Sequence, residues 1–161
     1  MSAVIGVDPG VTGALALLTD NGELSDVLDM PSLADGTKGR STVNAVLLAE
    51  LMARWHAHEV FCEFVSARPT DGSVQAFAFG KTFGIIHGVC GALSLPISLI
   101  TPQSWKRFHS IPPGDQKDLA RSKAIGKWPA MAERFARKVD HNRAESALIA
   151  VAGLMRAAGR G

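Results

Sequence analysis

Cysteine is scarce in this chain of 161 residues: there are two, Cys62 and Cys90. Neither belongs to a CxxC pair or to a Cys/His ligand spacing, which argues against a zinc knuckle and a disulfide framework and points to a reducing, cytoplasmic setting. Both read as small core residues. Charge is also missing locally, since no Asp, Glu, Lys or Arg lies between Lys81 and Lys106. Such a run invites comparison with a membrane span, but Gly84, Gly88, Gly91 and Pro96 break it into a small-residue helix, a turn and a strand. No membrane segment is expected. No basic segment precedes the first apolar run, so no signal peptide is expected either. Internal repeats and low-complexity tracts are absent.

What is present is a hydrophobic content of 47%, enough for one domain over residues 1–161 with a substantial core. The net charge of +2 hides an asymmetry. Residues 1–65 hold nine acidic and three basic side chains, whereas residues 102–143 hold ten basic and four acidic. The second segment suits a polyanion.

Three short strands are predicted at 3–8, 14–19 and 23–30, separated by the turn DPGVTG and by Asp20-Asn21-Gly22. They form an antiparallel meander. A polar loop leads to Ser41, a candidate N-cap, and Val43, Val46, Leu47, Leu51 and Trp55 follow at helical spacing. The run EVFCEFV at 59–65 reads as a strand returning parallel to the first, with Glu63 on the face of Phe61 and Val65. A helix over about 72–93, a fifth strand at 96–100, and helices broken at Pro112-Pro113-Gly114 and near Pro129 complete the chain, which ends in an apolar-faced helix over about 142–158. The expected class is α/β, a mixed five-stranded sheet flanked by helices.

Asp8 closes the first apolar strand and Glu63 lies in the strand expected beside it. Asp140 and Glu145 flank the start of the last helix, which can pack across the sheet with its N-terminus near those strand ends. Gathered carboxylates resist one another: two charges about 4 Å apart repel by about 4 kcal/mol at an effective dielectric near 20. A divalent cation removes that cost, and hard oxygen ligands without Cys or clustered His favour Mg²⁺ or Mn²⁺. Two such ions support phosphodiester hydrolysis. Taken singly, each acid also reads as something plainer: Glu145 as a helix-dipole partner, Asp140 as a cap, Glu63 as an exposed strand residue. Gly10 and Gly13 allow the tight turn that leaves Asp8 at a strand end.

The stretches VIGVDPGVTGALAL, VFCEFV and DHNRAESALIAVAGL resemble the RuvC-type Holliday junction resolvases, and more closely their phage and prophage branch, over about residues 3–157. The resemblance implies an RNase H-like fold, a homodimer, Mg²⁺-dependent cleavage and four-way or branched DNA as substrate. It makes Asp8, Glu63 and Glu145 metal ligands with Asp140 as the fourth, and puts Lys106 and Lys117 near the scissile phosphate, Lys117 in a catalytic role. Two departures from the family pattern stand out. Asn142, with His141 and Asp140 just upstream, occupies the position where many relatives carry an acid or His. Ser66 stands where bacterial resolvases tend to carry the aromatic that helps open the junction; Phe64, Phe77 and Phe79 are candidate substitutes.

Lys106, Arg107, Lys117, Arg121, Lys123 and Lys127 form a basic tract suited to phosphate contact rather than base reading. Trp105 and Trp128 read as packing residues. Gly80, Gly84 and Gly88 put a small-residue stripe on one helix, inviting close approach of a helix from this chain or from a second subunit. Rival readings are an RNase H-like nuclease for RNA or hybrid substrates, a non-catalytic junction-binding scaffold, and an actin-like or sugar-kinase-type phosphate loop, which DPGVTG also resembles. That last group needs a second lobe to close over ATP, and this chain is too short for two.

Overall fold

The computed structural model describes residues 2–36 and 38–159. Strands β1 (Ala3–Asp8), β2 (Ala14–Thr19) and β3 (Leu24–Asp29) form the expected antiparallel meander. The polar loop then departs from expectation. Residues Ser32–Ala34 (β4) and Ser41–Val43 (β5) pair as a small antiparallel hairpin outside the main sheet. Ser41 is therefore a strand residue and not a helix cap. The cap is Asn44, whose side-chain oxygen accepts the Leu47 N–H at 3.2 Å and opens helix α1 (Ala45–Trp55). The β-branched Thr42 and Val43 suit a strand better than a first helical turn.

Strand β6 (Glu59–Glu63) runs parallel to β1, and β7 (Ile97–Ile100) parallel to β6, with helix α2 (Ser73–Ala92) between them. The main sheet has the order β3-β2-β1-β6-β7. Helix α3 (Pro102–Phe108), helix α4 (Lys117–Lys127), two 3₁₀ turns at Pro129–Phe135 and Lys138–Asp140, and helix α5 (His141–Ala157) follow. No helix among the described residues is long and apolar enough to cross a membrane. Both cysteines are free and buried.

Alternation along the strands divides the core. Ile5, Val7, Val60 and Cys62 face α1 and α2 with Leu48, Met52 and Ile86. Val4 and Phe61 face α5 with Leu148 and Ile149, and α3 and α4 close over that side through Trp105, Ala120 and Ala124. Helix α5 packs closely on the sheet, where two glycines make room. A Cβ on Gly6 would stand 2.1 Å from the Ser146 carbonyl oxygen, and one on Gly153 would stand 2.2 Å from the Phe61 ring.

Candidate active site

Asp8 and Glu63 occupy neighbouring ends of parallel strands. Val7 pairs with Cys62 in the register, so each carboxylate lies one step beyond that pair. Both fall on the α5 side, because Val7 and Cys62 point the other way. The turn after Asp8 is tight: Gly13 donates to the Gly10 carbonyl at 3.0 Å, and a Cβ on Gly13 would meet the Asp8 carbonyl oxygen at 2.0 Å. Glu145 enters from above, since the contact of Ser146 with Gly6 pins the first turns of α5 over β1.

The three carboxylates feel one another. Burial raises the Asp8 pKa well above its usual value, and the charges of Glu145 and Glu63 add to the effect. Burial and then Glu63 push the Glu145 carboxyl up to about 7, against opposing pulls from Lys106 and Lys117. Burial also raises Glu63, while a hydrogen bond from the Trp105 indole and the charge of Lys106 act the other way. Their donor chemistry, hard oxygen with cations at the rim, fits a divalent ion and no softer one. Among the described residues, however, no three His, Cys, Asp or Glu side chains form a ready-made metal cage.

Asp140 does not join them. Its buried carboxylate accepts from Arg137 Nη2 at 2.7 Å, Arg137 Nε at 3.1 Å and the Arg137 backbone N–H at 2.8 Å, with Arg143 Nη1 at 3.8 Å. Burial alone would raise this carboxyl, but the Arg137 hydrogen bonds outweigh it and hold the group below the usual range. The same anchorage continues outward, where Arg143 grips Asp29 through two bonds of 2.6 and 2.7 Å. Asn142 donates to the Thr12 carbonyl and ties α5 to the turn after Asp8. His141 Nδ1 lies 3.1 Å from the Lys138 carbonyl.

The basic tract splits. Lys106 and Lys117 act on Glu145 and so stand at the site. Lys123 and Lys127 instead act on His109, whose Nε2 lies 2.7 Å from the Leu148 carbonyl. Arg121 is spent internally: it donates to the carbonyls of Phe135 at 2.9 Å and Ala136 at 2.5 Å and to Asp118 at 3.0 Å. That guanidinium holds a 3₁₀ turn to α4, which corrects its expected role at the DNA surface. Arg107 is exposed and lines an open groove of about 490 Å³ with Lys106.

Two open clefts lie nearby, one at Glu63 and one beside the turn that follows Asp8. One of about 540 Å³ runs from Glu63 past Phe64, Ser66 and Phe79, and another of the same volume holds Thr12, Lys117, Arg137 and Asn142. Phe64, Phe77 and Phe79 are all exposed, Phe77 to 76%. Trp105 and Trp128 are buried, as expected. The bond from Trp105 Nε1 to Glu63 Oε2, at 2.5 Å, went unread in the sequence, as did the room that Gly6 makes for α5. A glycine inside an apolar strand was the one available signal for the latter.

No family model and no curated protein matches the sequence. Solved structures do. A RuvC from Thermus thermophilus in complex with a Holliday junction substrate aligns with a TM-score of 0.69 at 17% identity, over 98% of this chain and 97% of that one. A second Thermus thermophilus RuvC structure gives 0.57 at 13%, over 98% and 97%. A fowlpox virus resolvase, in complex with Holliday junction DNA, gives 0.55 at 15%, over 95% and 99%. The chain has the RuvC fold, of the RNase H-like kind.

Proposed function

We propose that this protein is a Mg²⁺- or Mn²⁺-dependent endonuclease that cuts four-way or branched DNA and works as a homodimer. What supports the proposal is that Asp8, Glu63 and Glu145 come from three separate elements and that neighbouring like charge, after burial, resists ionisation of Asp8 and Glu145. A fold has little reason to keep mutually repelling, half-buried acids unless a cation relieves them. The substrate class is supported by the likeness to two proteins solved with Holliday junctions.

In this reading Asp8, Glu63 and Glu145 hold the metal, two ions by the expectation from the donor set. When bound, such ions activate a water and stabilise the charge that develops on a phosphodiester. The chain's own residues do the rest. Lys106 and Lys117 draw the phosphate to the carboxylates and offset its charge. Arg107 extends the cationic rim along its groove, and Lys123 lies farther out. Asp140 and Arg143 keep the first turn of α5 at a fixed height, so that Glu145 arrives in register with Asp8.

The test is cleavage of synthetic four-way junctions, flaps, duplex and RNA–DNA hybrids at one salt concentration, with Mg²⁺ or with chelator. Junction cutting that needs the metal is expected. Asp8→Asn and Glu63→Gln should retain junction binding while cleavage drops at least about 100-fold. Parental rates in either variant would remove the assigned roles, and preference for hybrids would move the protein to the RNA-processing reading.

A further inference from the structure

An indole N–H donates a hydrogen bond and has no lone pair to accept one. Trp105 aims this donor at Glu63 Oε2 across 2.5 Å, from a ring that is 1% exposed. The ring has little freedom to move. It packs in the core beneath α5, on a helix capped at one end by Thr101 and closed at the other by the Ile111 N–H on the Lys106 carbonyl. Glu63, in contrast, is the last residue of β6, where a long side chain would otherwise sample several rotamers. The indole takes one carboxylate oxygen and leaves the other for a cation.

The same ring serves a second group. Lys106 Nζ lies 5.6 Å from the Trp105 ring centroid and donates to the Gly114 carbonyl at 3.0 Å. Trp128 supplies a contrast within the chain, because its buried Nε1 donates to a neutral backbone carbonyl, that of Gly22, at 3.0 Å. A buried tryptophan needs some acceptor. Trp105 has the one acceptor that also belongs to the site.

We infer that Trp105 is a positioning residue, which fixes the Glu63 carboxylate for cation binding and holds Lys106 at the substrate's phosphate. The inference rests on the metal-dependent reading proposed above. Outer partners of metal ligands commonly change metal affinity 10- to 100-fold when removed.

The test uses the full chain stripped of metal with chelator, and two readouts besides activity. In the wild-type protein the indole N–H resonances of Trp55, Trp105 and Trp128 are followed as Mg²⁺ is added. The Trp105 signal should move and the Trp128 signal should stay. Calorimetry then compares Mg²⁺ affinity with that of Trp105→Phe, which keeps an aromatic ring under Lys106 but loses the donor together with part of the buried ring volume; a fall of about tenfold is expected, with a cooperative melt retained. Should the variant fail to fold, the wild-type resonance decides alone. A stationary Trp105 signal while the wild type binds Mg²⁺, or parental affinity in a folded variant, overturns the positioning role and leaves the nuclease reading standing. No uptake of Mg²⁺ by the wild type overturns both.

Discussion

Glu145 titrates near neutrality because burial and the Glu63 charge oppose its ionised form, lifting it from an ordinary 4.5 to about 7. As pH falls through that range the folded chain takes up a proton before the unfolded chain does. The metal-free protein therefore gains stability between about pH 7 and 4.5 and is least favoured above 7, where both states are ionised. After allowance for solvent screening, the gain from this one group is on the order of 2 kcal/mol. His109 opposes it, since burial lowers its pKa from 6.5 and makes the folded state lose ground in acid. Melting curves of wild type and Glu145→Gln in chelator separate the two, because both proteins keep His109. The variant should melt higher than wild type at pH 8, with the gap closing toward pH 5. Parallel curves at every pH would mean that Glu145 carries no such burden. Mg²⁺ added at pH 8 should likewise raise the melting temperature of the wild type.

The placement of α5 decides whether Glu145 reaches Asp8 at all, and Gly6 decides the placement of α5. A methyl at Gly6 would come within 2.1 Å of a helix carbonyl and 2.7 Å of the Ala150 Cβ, too close for either backbone to absorb without moving. Gly6→Ala should cost about 1–3 kcal/mol of stability and lower cleavage beyond what the lost stability explains, since Glu145 is displaced with the helix. Unchanged melting would show that α5 has slack. This element also marks what the sequence made legible. Strand and helix periods exposed β1, β6 and α5, and with them Asp8, Glu63 and Glu145, because each acid stands at or near an element's end. The partners of Asp140 and Arg121 were not legible. Asp140 read as a metal ligand or a cap and Arg121 as a phosphate contact, and neither pattern named Arg137, Phe135 or Ala136 as the partner. Trp105 reaches Glu63 only because of where α3 lands, which no local pattern encodes. Ser41 misled for a related reason: Ser and Asn are comparable caps in isolation, and pairing with Ala34 settled the choice.

Across the whole molecule the site acids come from β1, β6 and α5, whereas Lys106 and Lys117 come from α3 and α4, so under the proposed function substrate binding and cleavage should separate. Lys117 is half exposed and lies 3.8 Å from Asp115, a pairing too loose to hold it from a phosphate. Lys117→Ala should weaken junction binding and flatten its dependence on log salt by about 0.9 for duplex arms. An unchanged slope would take Lys117 off the DNA surface.

The opposite face of the molecule bears on the assembly. Along α2, Val74, Phe77, Gly84 and Gly88 follow one another at helical spacing, with Val74 61% and Phe77 76% exposed. A Cβ on Gly80, Gly84 or Gly88 would meet nothing within 4 Å, so among the described residues no helix packs on the stripe that the sequence displays. The lone charge on that face, Lys81, is drawn aside by Asp35 at 2.9 Å. A second copy is the occupant we propose, because a two-fold pair of sites matches the two symmetric strands of a four-way junction. Phe77→Glu would put a charge into the middle of such a contact, where burial without a partner is costly. Sedimentation should then show one chain where the wild type shows two, with duplex binding by each chain retained and paired junction cuts reduced to single nicks. A wild type that sediments as a single chain at cleavage-competent concentrations would exclude the α2 dimer, and a Phe77→Glu variant that still sediments as two chains would move the contact to another face.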